Sequence, residues 1–326
     1  MWKGIIILFL FPLLLFARER KKEIAVSHNW PVPPNDQTNV QNGCLSAVYK
    51  ALQEKNIRLF ETDLKNEKDY FDLTYVIVWN KTACPKKELF KKFPKKKLLL
   101  FMWEPPVFLK VKPAYYEGFK RVYTWNDDLV DNIKFFKFYY PVLQPMLQNL
   151  PSFEEKKLVT QMSSNKKSKH SKELYKAREA VIQFFEDKDD FEFYGPAWES
   201  KEYKNYRGTV DNKLDTLKNY RFNVCYENMR DVKGYITEKI FDSFAAGSVP
   251  IYWGASNVTD YIPKNCFIDR RDFKDFAEVY EYIRTMDKAT YDAYLKNIQE
   301  YLQSDKAKLF SQEMFSVIFL EAIRFP

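Results

Sequence analysis

The sequence predicts an α/β protein built as two Rossmann-like domains that face each other across a cleft. Short apolar runs of strand type alternate with helical stretches along most of the chain, the pattern of parallel sheets with helices on both faces. The 326 residues are enough for two domains, each with its own core. The boundary is best placed within residues 147–155, around Pro151. The expected division is 1–22 as an N-terminal segment outside the fold, 23–150 as the first domain and 151–326 as the second.

Residues 1–17 read as a targeting or anchoring segment. Lys3 precedes an apolar run over 4–17, and the basic cluster 18–22 follows it. The run is shorter than the roughly 20 residues a spanning helix needs, and Pro12 interrupts it. Its length suits a signal-peptide core, whereas the basic cluster suits an uncleaved anchor. Both readings put the N-terminus at a membrane or on a secretory route.

From residue 23 the elements follow in order. A strand at 23–26 leads to a Pro-, Asn-, Asp- and Gln-rich loop at 29–43. Residues 44–55 read as a helix, 57–60 as a strand and 75–79 as a strongly apolar strand. A lysine-rich helix at 86–93 precedes the buried strand 98–103, and then come 122–125 and the aromatic run 135–140. The second half repeats this style without repeating the sequence. It starts with a strand at 158–162, a long amphipathic helix at 172–186 and a strand at 191–194 that ends at Gly195. A polar region leads to a helix at 212–220.

The chain is organised around residues 221–254. Residues 222–226 form a short apolar strand, and Thr237 stands where a helix N-cap belongs. Ile240, Phe241, Phe244 and Ala245 then share one helical face, Gly247 ends the helix, and 249–253 reads as a buried strand. A strand at 266–269 and further helices complete the chain.

In an open α/β sheet, ligands sit at the carboxyl ends of strands and beside helix N-termini. That position holds Glu227, Asn228, Tyr235, Glu238 and Lys239, a set that suits a sugar carrying a phosphate. Glu104 directly follows the strand 98–103, and the φ-restricted Pro105 and Pro106 hold it at the cleft. Ser164 and Asn165 close the strand 158–162, and Arg178 lies on the next helix, where a guanidinium can grip phosphate bidentately.

Composition narrows the choices. The net charge of +8 is concentrated at 18–22, 86–97 and 166–172, with no nucleic-acid-binding signature, so these runs read as solvated faces and no nucleic acid is expected. His28 and His170 lie far apart, which disfavours a His-rich metal site or a Ser-His-Asp machine. No glycines are spaced as GxGxxG or a P-loop. The four cysteines lack CxxC spacing; Cys225 and Cys266 read as buried thiols, and the disulfide state of Cys44, Cys84, Cys225 and Cys266 stays open. The sequons at Asn80 and Asn257 matter only in a eukaryotic secretory pathway.

The stretch 222–251 closely resembles the signature of the α1,3/4-fucosyltransferase family. It supplies Phe222, Val224, Tyr226, Glu227 and Asn228, then Gly234 to Lys239, then Ala246 to Ile251, with one extra loop residue between Asn228 and Tyr235. The resemblance covers roughly residues 98–285 and implies the GT-B architecture, two Rossmann-like domains around a cleft. It implies an inverting transfer of L-fucose from GDP-β-L-fucose to a glycan hydroxyl, O3 of N-acetylglucosamine being the expected acceptor. Glu104 matches the family's proposed general base, although this chain has Glu104-Pro105-Pro106 where the family has an E-S-P-like motif. Ser164, Asn165, Arg178, Asn223, Asn228, Tyr235, Glu238 and Lys239 are implied donor-binding residues, with 166–172 as an insertion between the Ser-Asn pair and Arg178. The family's eukaryotic members are type II membrane proteins. No cofactor and no metal are expected, because Arg178 and Lys239 can neutralise the leaving diphosphate. Asp127-Asp128 and the run 187–190 superficially resemble the DxD metal motif of GT-A transferases, but read as solvated turns. Another nucleotide sugar as donor, or glycan binding without catalysis, remain the alternatives.

Overall fold

A computed structural model describes residues 22–27, 44–64, 73–80, 85–198 and 203–324. The N-terminal segment, His28, the loop 29–43 and Cys84 lie outside the described residues. Eleven strands among the described residues form two sheets, and every pairing within them is parallel. The first contains β1 (Glu23–Ser27), β2 (Arg58–Thr62), β3 (Tyr75–Trp79), β4 (Leu98–Met102), β5 (Arg121–Thr124) and β6 (Phe135–Lys137), in the order β2-β1-β3-β4-β5-β6. The second contains β7 (Lys157–Met162), β8 (Phe191–Tyr194), β9 (Tyr220–Tyr226), β10 (Val249–Trp253) and β11 (Ile268–Asp269), in the order β11-β10-β9-β7-β8. In each sheet the first strand lies between the second and third, so the winding direction reverses there. A crevice opens at the carboxyl ends of the two flanking strands.

The central strands are buried on both faces, as their apolar runs require, whereas the edge strand β6 is only half-buried. All five residues of β4 and four of five in β3 are buried. The principal helices are α1 (Ser46–Gln53), α2 (Lys86–Lys92), α3 (Tyr175–Phe184), α4 (Glu238–Ala245), α5 (Phe276–Thr285), α6 (Lys288–Leu302) and α7 (Gln312–Ala322). In α4 the expected face of Ile240, Phe241, Phe244 and Ala245 is buried. Gly247 ends that helix at φ +62°, and the Ser248 N–H returns to the Ser243 carbonyl at 3.0 Å.

Several boundaries differ from expectation. The aromatic run 135–140 pairs only over Phe135–Lys137, after which Phe138 and Tyr140 turn into the core. The strand expected at 266–269 shrinks to two residues, because Pro263 introduces a 3-10 turn over Lys264–Cys266. The expected second domain, 151–326, contains the whole second sheet together with a helix that packs on the first. In α7, Phe315 and Phe319 lie 5.8 and 5.7 Å from the Phe101 ring of β4. No helix of the described residues is long and apolar enough to cross a membrane. Cys44, Cys225 and Cys266 are free thiols, and burial pushes Cys266 up to about 12.

Asp127 departs from the expected solvated turn and ties the two halves together. Its carboxylate accepts from Lys137 Nζ in the first half, and from Asn257 Nδ2 and Tyr261 OH in the second, both at 2.9 Å. Burial raises its carboxyl, and these donors more than offset that. Asp128, Asp187 and Asp189 are exposed turn residues paired with Lys233, Lys188 and Lys204. Asp190 accepts from Tyr280 OH at 2.6 Å.

Candidate active site

A cavity of about 590 Å³ opens between the halves, at the carboxyl ends of β4, β7 and β9. Its size is typical of small-molecule sites. Glu104, Ser164, Arg178, Asn223, Asn228, Tyr235, Glu238 and Lys239 all line it. Asn165 does not; its backbone N–H donates to the Pro196 carbonyl at 3.1 Å, and it lies off the cavity wall.

On the first wall, Glu104 emerges from β4 with its backbone fixed. Asn80 follows β3 in the left-handed region at φ +59°, which asparagine tolerates better than most residues. Its Oδ1 accepts the N–H groups of Trp103 and Glu104 at 2.5 and 2.8 Å. The Trp103 carbonyl accepts from Trp125 Nε1 at 3.2 Å and from Tyr140 OH. Burial raises the Glu104 carboxyl above its usual range, Lys166 and Lys239 pull it down in part, and Glu238 pushes it up. A carboxylate with these neighbours is poised to take a proton.

The second wall is a network of buried charge. Arg178, on α3, is 6% exposed. Its Nη2 donates to the Tyr226 carbonyl at 2.6 Å and to Asn228 Oδ1 at 3.0 Å. Burial lowers this guanidinium's affinity for its proton and the Glu227 carboxylate raises it. Glu227, fully buried at the end of β9, accepts from the Thr237 N–H at 2.9 Å and hydroxyl at 2.8 Å. It thereby orients the N-cap of α4, and Lys239 Nζ stands 3.5 Å away. Lys239 also donates to Glu238 Oε1 at 2.9 Å and to Thr237 Oγ1 at 3.2 Å. Burial raises the Glu238 carboxyl, but Lys239 overrides it and holds the group at about 2. The same carboxylates hold the Lys239 ammonium charged despite its burial.

Tyr235 is buried against Trp125, ring centroids 4.6 Å apart. Asn223 donates its Nδ2 to Ser243 Oγ at 2.8 Å, and its Oδ1 has no protein partner. At the far end, Gly195 has φ +140°, and a Cβ there would meet the Ser163 carbonyl oxygen at 2.1 Å. Only glycine lets the β7 and β8 ends approach this closely at the cavity floor.

Sequence reasoning saw in Asn80 only a sequon, not a positioning residue, and did not anticipate Lys166 in the cavity wall. It placed Glu227 in the ligand-facing set, whereas Glu227 is fully buried behind the cavity wall, where it serves Thr237 and Lys239. The local signals for Glu227 are its strand-end position and its place in the 222–251 signature; neither shows its partners, and the Asn80 sequon says nothing of Trp103 and Glu104. The assembled site can abstract a proton at one wall and stabilise a departing anion at the other, where Arg178, Lys239 and the α4 N-terminus converge.

The family described as glycosyltransferase family 10 (fucosyltransferase), C-terminal part, matches residues 153–318. The alpha-(1,3)-fucosyltransferase FucT of Helicobacter pylori is 45% identical over 76 residues, 23% of this chain and 16% of that protein. The 4-galactosyl-N-acetylglucosaminide 3-alpha-L-fucosyltransferase 9 of Mus musculus is 28% identical over 214 residues, 65% of this chain and 54% of that one. The chain thus spans at most about half the length of these curated relatives. Among solved structures, an alpha1,3-fucosyltransferase has a TM-score of 0.62 at 20% identity, covering 94% of this chain and 91% of its own. An alpha1,3-fucosyltransferase with GDP-fucose gives 0.57 at 20% identity, over 93% and 90%. A DNA-modifying beta-glucosyltransferase gives 0.55 at 16% identity, over 92% and 99%. The fold is GT-B.

Proposed function

This chain belongs to glycosyltransferase family 10, and from that premise we propose that it transfers L-fucose from GDP-β-L-fucose to a glycan hydroxyl. One observation carries the proposal: Glu104 and the cations Arg178 and Lys239 line the two walls of one cavity. The GDP-fucose named with a structural neighbour supports the choice of donor. The acceptor we assign is O3 of N-acetylglucosamine, supported by the name of the mouse relative.

Glu104 takes the proton of the acceptor hydroxyl as its oxygen bonds to the anomeric carbon, on the face opposite GDP. The anomeric C–O bond breaks, its electron pair leaves with the β-phosphate, and the β-linked donor gives an α-linked product. Positive charge develops on the sugar and negative charge on the diphosphate. Arg178, Lys239 and the N-terminus of α4 stabilise the latter. Glu238 accepts from ribose or fucose hydroxyls, and Asn228 and Tyr235 complete the donor pocket. This cationic set takes the role of a divalent ion, so EDTA leaves most activity in place. Complete loss in EDTA, restored by Mn²⁺, contradicts that part. The apolar run near the N-terminus supports a membrane-associated or secretory chain, in a Golgi-type lumen or a bacterial envelope according to the source.

Incubation with a panel of nucleotide sugars, scoring nucleotide release with and without glycan acceptors, tests the reading. GDP release from GDP-fucose that depends on a glucosamine-containing acceptor supports it. Release from a different nucleotide sugar alone reassigns the donor, and glycan binding with no release from any donor leaves only a binding protein.

A further inference from the structure

In a parallel sheet every strand begins at one edge and ends at the other. The cleft takes the carboxyl edge of the first sheet, where Asn80 follows β3 and Glu104 follows β4. At the opposite, amino edge, lysines stand just ahead of the strands: Lys22 before β1, Lys55 before β2, Lys95 and Lys96 before β4, Lys120 before β5 and Lys134 before β6. Backbone bonds fix this placement. The Arg58 N–H donates to the Lys22 carbonyl at 2.9 Å, the Lys120 N–H to the Leu98 carbonyl at 2.8 Å and the Val122 N–H to the Lys134 carbonyl at 2.9 Å. All six lysines but Lys134 are exposed. Burial loosens the hold of the Lys134 ammonium on its proton and the charge of Lys95 loosens it further, whereas Glu117 and Asp131 tighten it.

Acidic residues do not cancel this charge. Glu23 is bound to Arg58 at 2.8 Å. Asp131 Oδ1 is taken by the N–H groups of Ile133, Lys134 and Phe135, each at 2.8 Å. Glu54, Glu117 and Glu321 are exposed nearby, and the lysines outnumber them. The Asp131 turn also presents an apolar tip. With Asn132 at φ +57°, it holds up Ile133, which is 82% exposed. A fixed turn that lifts a bare isoleucine beside lysines suits a surface with acyl chains beneath anionic headgroups. A nucleic acid would use the charge and has no use for the isoleucine. The chain also enters the fold at this edge, since Lys22 follows the basic residues 18–21 and the apolar run 4–17.

We propose that the amino edge of the first sheet, with Ile133 as its apolar tip, is a docking surface for a bilayer rich in anionic lipid. The lysines lie against the headgroups, the isoleucine dips below them, and the cleft at the opposite edge stays open to solvent. The inference goes beyond the apolar run 4–17, which as a tether alone would leave the folded body free of the lipid. It does not rest on the transferase reading. Because the lysines are exposed, their pull weakens as salt rises.

The test uses the full chain carrying Ile133→Trp, on vesicles of phosphatidylcholine alone or with about 30% phosphatidylserine. The phosphatidylcholine is brominated in its acyl chains, and wild type supplies the background from the native tryptophans. The added tryptophan should be quenched on the anionic vesicles and far less on the neutral ones. Salt at about 0.5 M should reverse the quenching. Adding Lys95→Glu and Lys96→Glu should raise the lipid concentration for half-maximal quenching roughly tenfold or more, since each lysine near an anionic surface counts for about fivefold in partitioning. The substituted side chains are exposed, so each variant should keep the wild-type unfolding transition. No added quenching on anionic vesicles overturns the proposal and leaves any membrane binding to the apolar run. Equal quenching on neutral vesicles overturns it too, because the lysines then have no part. So does tighter binding to a duplex DNA oligomer than to the anionic vesicles at the same salt, which would assign the edge to nucleic acid.

Discussion

The two walls of the cleft handle charge in opposite ways. On the second wall Glu227, Glu238, Lys239 and Arg178 are packed together, and each finds a partner of opposite charge or a backbone carbonyl. On the first wall Glu104 has no ion-pair partner within 4.0 Å among the described residues, and it is positioned through its own peptide by Asn80. The exposed ends of the walls respond differently: Lys239 holds Glu238 at about 2, whereas burial raises Glu104, as it also raises the fully buried Glu227. A wall of paired charges suits a ligand that keeps its charge throughout binding. A lone carboxyl with a raised proton affinity suits a group that must gain and lose a proton.

The sharpest way to break this contrast is to remove the lone carboxylate. Glu104→Gln keeps the shape and deletes the base, so turnover should fall by roughly 10²-fold or more. Initial rates at saturating donor and acceptor check this, and a loss below threefold would remove Glu104 from the chemistry.

Next is the carboxylate beneath the second wall. Glu227→Ala strips Thr237 of two hydrogen bonds and Lys239 of a buried partner. Breaking a buried pair of this kind costs about 3–5 kcal/mol, so denaturant unfolding should show a loss in that range. A loss under 1 kcal/mol would mean that the network is dispensable.

Asn80 sharpens the comparison from the other side. Asn80→Ala leaves the Trp103 and Glu104 N–H groups without their acceptor. We expect kcat to fall about tenfold through loss of positioning, with GDP affinity unchanged. Equal losses of kcat and GDP affinity would mean that the residue supports the whole cleft.

The smallest effect is on pH dependence. Glu104 acts deprotonated, and burial raises its proton affinity, so activity should fall on acidification at a pH above that of an ordinary glutamate. Lys239 lowers the Glu104 carboxyl, so Lys239→Ala should move the acid limb of kcat/KM to higher pH. A limb that persists unchanged in the residual activity of Glu104→Gln would assign it to another group.

Local signals made much of this architecture legible. The apolar runs marked β3, β4, β9 and β10, Thr237 marked the start of α4, and Ile240, Phe241, Phe244 and Ala245 marked its inner face. Residue type together with position at a strand end marked Glu104, and a motif marked 222–251. Contacts between distant residues leave no such trace. Asn257 meets Asp127 across 130 positions, and Phe315 reaches Phe101 from the far end of the chain. Asn80 looks like any polar residue after a strand until its Oδ1 is seen between two N–H groups of the neighbouring strand's end. Asn165 shows the converse: a polar residue at a strand end that is not part of the cavity wall, its backbone N–H tied to the Pro196 carbonyl.

Calorimetric titration of GDP into wild type, Glu104→Gln and Lys239→Ala tests the division of labour most directly. The account predicts that Glu104→Gln binds GDP within about twofold of wild type, because its wall does not hold the donor. Lys239→Ala should bind at least tenfold more weakly, the loss expected when a charge-assisted contact to phosphate is removed. If Glu104→Gln loses GDP binding and Lys239→Ala keeps it, the roles of the two walls are reversed and the account fails.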